Sequence, residues 1–442
     1  METDSVEGVA SPSWEDGYRI RVEQRIAKAQ ESLRKNPACI FRLPQKFIET
    51  IGQWYQPQLV SIGPYYNGKP HLQLMEEYKW ECLGSILNRT TQDIIPYYES
   101  ISLLEQKARE CYSEEISLTT ADLVERMVLD GCFILELLAK IDNLTLLQTE
   151  DSLGMLSTRT KLAQIRRDLL LLENQIPFFV LEKLFDVSNT TPVDSGQTLF
   201  SLVETFFSKE VGNFTYQSSN QRPEPLHLLD VVRTTYIPPD EGKSAILDSK
   251  RRRVLWKSNI IPCVSKLRRA GIKVNEAKGS NFSMVRFKDG AIEMPRLQIN
   301  TFICSFLVNC VAFEQCYHSF YKHFSVYASF LDCLVNSAMD VEYLCDRNVV
   351  DNYFATDDEA ARFINNLGRD LSFDNRQFYL GMLFSEIDEY YRNRYHVQWA
   401  SFKQRYFKTP WSFISAVAAF VLLAFTFLQT FYTIYGYVHP KA

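Results

Sequence analysis

The chain has 442 residues, 46% of them hydrophobic and 23% charged, and its 48 Lys and Arg against 53 Asp and Glu leave a formal charge of −5. That composition belongs to a folded protein and not to a disordered chain, and the length allows two or three domains or one large one. The acidic balance argues against a general nucleic-acid binder, which would carry a basic surplus, so no nucleic-acid partner is expected.

Residues 1–17 (METDSVEGVASPSWEDG) are acidic and small, with no apolar run of the signal-peptide kind. They read as a disordered tail without a leader. A polar, charge-mixed helix follows over 18–35 and ends before Asn36-Pro37, with a linker that completes the segment 18–38. The block 39–68 holds prolines at 44, 57 and 64 and glycines at 52, 63 and 68, which prevent a long helix. Within it, Leu59-Val60-Ser61-Ile62 reads as a short buried strand. Helical spacing returns over 71–87.

Thr119 stands three residues before Asp122, a capping-box signal for the helix that runs through DLVERMVLDGCFILELLAK. That helix becomes apolar almost all round, which marks either a central core helix or a membrane span. Asp130 and Glu136 interrupt it, so a core helix is expected. Residues 161–185 make a similar element, broken near Ile176 by Pro177. Segments 186–198 and 215–225 read as loops, and Pro225 as the first turn of another helix. Helices are expected near 246–256 and 264–270, the latter stopped by Gly271. The alternation on both sides of Asp289-Gly290 predicts a β-hairpin. Long aromatic-rich helices are expected over 302–345 and 359–407. No internal repeat is present.

The last long stretch, 411–435, reads WSFISAVAAFVLLAFTFLQTFYTIY and contains no Asp, Glu, Lys or Arg. A bilayer core of about 30 Å needs roughly 20 apolar residues in a helix, so this stretch is long enough to span. Its anchor residues are Trp411, Phe413, Phe420, Leu422, Phe425, Phe427, Tyr432 and Tyr435. Lys403, Arg405 and Lys408 precede the span and only Lys441 follows it. The positive-inside rule then places the large domain in the cytoplasm, tail-anchored, with the plasma membrane the favoured site.

Chemical motifs are sparse. Gly242-Lys243-Ser244 matches the end of a phosphate-binding loop, but Ile237 stands where the pattern needs Gly, and Pro238 and Pro239 remove backbone donors. His318 and His323 are five apart, and Cys304, Cys310 and Cys316 recur every six residues; neither is a metal-site spacing. The ten cysteines contain no Cys-x-x-Cys pair and are expected as free, largely buried thiols. No cofactor or metal is expected. Asp130, Glu136, Asp168 and Glu173 lie in apolar context, where buried charges are usually paired; Arg126, Arg166, Arg167 and Lys183 are the candidate partners. The catalytic alternative is a carboxylate pair near Asp168 and Glu173. The basic run 250–253 reads as solvated surface. Sequons at Asn88, Asn143, Asn189, Asn213 and Asn281 matter only if the domain reaches a secretory lumen.

Several segments taken in order resemble the plant family that carries domain of unknown function 247: IFRLPQKF (40–47), LVSIGPYYNG (59–68), MVLDGCFILELL (127–138), DLLLLENQIPFFVLEKLF (168–185) and LHLLDVVR (226–233). IPCVSKLRRAGIKV (261–274), FSMVRFKDGAIEMP (282–295), FEQC (313–316) and YFKTPW (406–411) continue the series. Tyr66-Asn67 departs from the His-His of many members. The resemblance implies a mostly helical, membrane-associated plant protein with a C-terminal span and no established catalytic activity. Some grass members are implicated as pollen-side determinants of self-incompatibility, which makes a cell-surface recognition module a further alternative.

The expected fold is mainly α: a multi-helix globular domain over 39–410 with a small β-hairpin and short strands, then a transmembrane helix over 411–435 and a short tail, 436–442. The leading functional expectation is a non-enzymatic recognition or signalling protein, held to a lipid bilayer and binding a protein partner.

Overall fold

Helical spacing of apolar residues recurs along most of this chain, and helices are what it forms. The computed structural model describes residues 17–26, 38–147, 159–188, 198–211, 224–237, 260–277, 284–317, 322–372, 378–393 and 410–438. Outside them lie the acidic tail, the linker to residue 37, the 242–244 and 250–253 motifs, His318, the basic approach to the last helix, and the sequons at Asn189, Asn213 and Asn281.

An exposed helix α1 (17–26) comes first. The proline-rich block supplies only a short α2 (Gln45–Ile51) and a 3-10 turn, as its breakers require. Then follow α3 (Gln73–Thr90), α4 (Ile95–Ser102), α5 (Glu105–Glu110) and α6 (Thr120–Leu147). The capping signal at the start of α6 is realised. The Asp122 amide donates to Thr119 Oγ1 at 3.2 Å, and the Thr119 hydroxyl donates to the Asp122 carboxylate at 2.7 Å. From Met127 to Leu138 every residue of α6 is buried, against α3, α4, α8 and α9. Each large apolar side chain so buried contributes about 1.5–3 kcal/mol of transfer free energy. This is the central helix of the N-terminal half.

The proline-broken segment gives α7 (Arg159–Asp168), a turn-rich link over 169–177, and α8 (Phe178–Ser188). A helix-to-helix junction was expected near Ile176; the helical break begins earlier, at Leu169, because Asn174 and Gln175 bond back to the carbonyls of 168–171 in place of a helical ladder. α9 (Leu199–Val211) and α10 (Leu228–Thr235) follow. α10 starts three residues after Pro225, with His227 as its cap: the imidazole Nδ1 accepts the Asp230 amide at 3.2 Å.

α11 (Val264–Arg269) stops at Gly271 as expected, the Ile272 amide reaching back to the Leu267 carbonyl at 3.0 Å. The hairpin is β2 (Arg286–Lys288) against β3 (Ala291–Met294), turned by Asp289 and Gly290, both at positive φ as a two-residue hairpin loop requires. β1 (Lys273–Glu276) pairs parallel with the far edge of β3, and β4 (Leu297–Ile299) pairs parallel with β5 (Val350–Asn352).

The two long C-terminal stretches are segmented rather than continuous. α12 (Thr301–Cys316), α13 (His323–Leu334) and α14 (Ala338–Asp346) precede β5; α15 (Asp357–Gly368), α16 (Gly381–Arg392) and α17 (Pro410–Val438) come after it. α14 and α15 start at Ser337 and Thr356, whose hydroxyls accept amides of their first turns. α12 packs on α7, α10 and α13, and α15 on α2, α13 and α14. The buried apolar residues from Cys39 to Ile387 form one continuous core.

Candidate functional site

The segment 56–68 is where the buried charges converge. No strand forms over 59–62. Val60 and Ile62 are buried as expected, but side chains take their amides, and no neighbouring strand does. Oδ2 of Asp168 accepts the amides of Gln58, Leu59 and Val60 at 3.0, 2.7 and 3.1 Å. Asn174 works both ways: Oδ1 accepts the Ile62 amide at 2.7 Å, and Nδ2 donates to the Val60 carbonyl at 3.1 Å. The Gly63 amide donates to Asp130 Oδ2 at 2.7 Å. At Gly63 φ is +73°, and a Cβ there would lie 2.4 Å from the Gln175 carbonyl oxygen, so both conformation and space require glycine.

Two flanking groups close the arrangement. Lys79, fully buried on α3, donates to Asp130 Oδ1 at 2.6 Å, to Glu76 at 2.7 Å and to the Ser61 carbonyl at 2.5 Å. Glu173 accepts the Leu43 amide at 2.7 Å, the Tyr66 hydroxyl at 2.7 Å and Arg42 Nη1 at 3.0 Å. Arg126 bridges Glu76 and Asn67. Burial pushes the Asp168 carboxyl up to about 6 against the pull of the Leu59 and Val60 amides and of Arg167. Burial would raise Glu76 as well, but Lys79 and Arg126 outweigh it and hold its pKa below the ordinary value.

Pairing of the interior carboxylates was expected, and it is found with partly different cations. Asp130 meets Lys79 as well as Arg126, Glu136 meets Arg89 at 2.8 Å, Asp168 meets Arg167 at 3.4 Å, and Glu173 meets Arg42. A general base must be free to take a proton from a substrate. Asp168 and Glu173 are instead engaged by backbone amides. The chemistry this cradle performs is structural: it fixes an irregular, proline-bearing loop against the core.

A second buried ion cluster has no counterpart among the expected pairs. Arg233 on α10 donates to Asp230 at 2.9 Å and to Glu314 on α12 at 3.2 Å. Glu314 also accepts the amides of Phe324 and Ser325 at the start of α13. His227 joins this cluster to the segment before α2, Nε2–H donating to the Cys39 carbonyl at 3.1 Å. Burial pushes the imidazole pKa down to about 4. The signal for Lys79 was present: it lies on the stripe Met75, Tyr78, Cys82, Leu83 and Ile86, the buried face of α3. Arg233 likewise follows Leu229 at helical spacing. Nothing local marks Arg42.

The ten cysteines are free thiols, five of them buried and five partly exposed where largely buried ones were expected. No group of three or more His, Cys, Asp or Glu that could hold a metal occurs among the described residues. A cleft of about 680 Å³ opens between β5 and the start of α15, lined in part by Arg296, Asp351, Asn352 and Asp357. Arg296 and Asp351 pair with each other at 2.6 Å, and Asn352 Nδ2 donates to Asp357 at 2.7 Å.

The last helix differs from all of these. Trp411, Phe420, Leu422, Phe425, Phe427, Tyr432 and Tyr435 are all exposed, and the side chain of Phe413 lies outside the described residues. Ile414–Tyr435 is the one helical stretch among the described residues that is long and apolar enough to cross a membrane, and none of it is buried.

Comparison with known proteins gives the family. A family model described as a plant protein of unknown function, domain of unknown function 247, matches residues 40–425. A UPF0481 protein of Arabidopsis thaliana is 33% identical over 435 residues, covering 93% of this chain and 89% of that protein. A putative UPF0481 protein of the same plant is 24% identical over 521 residues, covering 96% and 95%. No solved structure matches. The chain belongs to this plant family of unknown function.

Proposed function

We propose that this family member is a membrane-anchored, non-enzymatic recognition module. Its 414–435 helix crosses a bilayer, in our reading the plasma membrane, and its helical domain meets a protein partner on the cytoplasmic side. The observation that carries the proposal is the contrast at α17: none of its apolar stretch Ile414–Tyr435, the one such span among the described residues, is buried, while the apolar helices of the domain are. An exposed apolar stretch of that length needs a non-aqueous surrounding. The Lys and Arg that precede it, against the single Lys441 after it, support a cytoplasmic domain. Support for a binding role over a catalytic one comes from the interior carboxylates, which are engaged in holding the backbone.

The test is cross-linking of the full chain in plant membranes, followed by carbonate washing and identification of what remains attached. The proposal expects the chain in the washed membrane fraction, with one protein enriched over a control carrying only the last helix. Release of the chain by carbonate, or equal recovery of every candidate with the control, would contradict it.

A further inference from the structure

Two of the ten thiols stand apart from the rest because the main chain brings them together. A parallel β-bridge joins Ile40 to Tyr112: the Ile40 amide donates to the Cys111 carbonyl at 2.9 Å, and the Ser113 amide to the Ile40 carbonyl at 2.9 Å. Cys39 precedes one partner and Cys111 the other, so they face each other across the bridge, and the Cys39 amide also donates to the Cys111 carbonyl at 2.8 Å. A 2.8 Å bond from the Cys39 amide to the Cys111 carbonyl leaves the two Cα atoms at most about 6.7 Å apart, inside the separation of about 4.4–6.8 Å that a disulfide accepts. The side chains are close enough for each thiol to shift the pKa of the other. Cys39 is buried, while Cys111 is part-exposed at the end of α5, its Sγ directed to the Lys107 carbonyl at 3.4 Å.

We propose that Cys39 and Cys111 form a peroxide-responsive dithiol that closes to a disulfide without movement of the backbone. Hydrogen peroxide is the oxidant. The Cys111 thiolate attacks one peroxide oxygen and the O–O bond breaks; the departing hydroxide takes up a proton and leaves as water, giving a sulfenic acid on Cys111. Cys39 sulfur then attacks the sulfenic sulfur, the S–O bond breaks, and the hydroxide leaves as a second water with the Cys39 proton. The two thiols lose two electrons and the peroxide gains them.

The roles follow from the surroundings. The neighbouring Cys39 and then Lys107 hold the Cys111 thiol below its ordinary pKa, against burial and Glu110, while the Cys39 thiol is raised by Cys111 and by burial. Reactive thiols are the partly exposed ones with thiolate character, so Cys111 is the attacking sulfur and Cys39 the resolving one. The link would fasten the strap that carries Arg42 and the Leu43 amide, the ligands of Glu173, to the segment after α5. Oxidation would therefore act on the same cradle that holds the 56–68 loop.

The experiment uses the full-length chain in detergent, reduced, desalted and titrated with hydrogen peroxide, with cysteine peptides mapped under non-reducing conditions. The expected result is one cross-linked peptide pair containing Cys39 and Cys111, lighter by two hydrogens, formed before Cys82, Cys132, Cys304 or Cys310 is modified, and reversed by dithiothreitol. In Cys39→Ser the sulfenic acid on Cys111 should persist and react with dimedone; in Cys111→Ser, Cys39 should stay reduced at the same peroxide concentration. Conversion of Cys111 to sulfinic acid in the wild-type chain with Cys39 still a free thiol would overturn the proposal. So would oxidation of another cysteine pair at equal or lower peroxide.

Discussion

α6 and α17 are similar in length, 28 and 29 residues, and both carry long apolar runs, yet the first is buried from Met127 to Leu138 and none of Ile414–Tyr435 in the second is buried. What separates them is punctuation. α6 carries Asp130 and Glu136 inside its apolar run, and the fold supplies each with a cation, Lys79 and Arg89. α17 has no ionisable acid or base between Trp411 and Tyr432. A buried charge is tolerated only where a partner has been built for it. An apolar helix that bears charges therefore announces protein around it, and one that bears none is compatible with lipid.

Removing a partner in the first region is the severest way to break that contrast. Lys79→Met should cost about 3–5 kcal/mol, because Asp130 is then a buried carboxylate without its closest cation; a Tm shift no larger than that of a surface substitution would refute the assignment. Adding a charge in the second region is next. Leu422→Arg should disfavour insertion by about 2.5–3.5 kcal/mol at the helix centre, read as a drop in the carbonate-resistant fraction, with the Tm of the domain unchanged.

A pH titration probes the second ion cluster. His227 and His323 both have pKa values pushed down to about 4 by burial, so between pH 4 and 6.5 the folded state binds fewer protons than the unfolded one. Their contribution is present above pH 6.5 and is lost as pH falls toward 4, on the order of 3 kcal/mol for His227 alone. Asp168, raised to about 6, acts in the opposite sense and gains stability as pH falls through that value. His227→Asn keeps an N-cap acceptor for the Asp230 amide and removes the titration, so its Tm should fall less steeply with acid than the wild type; parallel slopes would contradict the assignment. The smallest effect is expected at Arg362, which pairs with Asp358 in full solvent on α15. Arg362→Ala should leave the Tm unchanged within error.

The two regions also differ in how much of them could be read from the residues alone. Charge-free length identified the last helix at once, and the Asp289-Gly290 turn, the Thr119 cap and the Gly271 stop were local signals that the structure bears out. The 56–68 loop was not legible, because its amides at 58–60, 62 and 63 are satisfied by side chains 67–112 residues away in sequence, as in the bonds of Asp168 to Leu59 and Asn174 to Ile62. A strand and a side-chain cradle satisfy the same amides, and sequence spacing does not distinguish them. The same holds for α10, where a histidine cap displaced the start expected at Pro225. Lys79 and Arg233 were legible in principle, being polar residues on apolar helical stripes. Glu314, whose partners lie on α10 and α13, was not.

The central claim is that the apolar helix holds a cytoplasmic domain to a membrane, and protease protection on sealed vesicles tests it most directly. With the full chain inserted into right-side-out plasma-membrane vesicles, the account predicts that the domain is protected until the vesicles are opened, and that Asn88 and Asn143 carry no glycan. Digestion of the domain in intact vesicles, or a glycan on either asparagine, would contradict it.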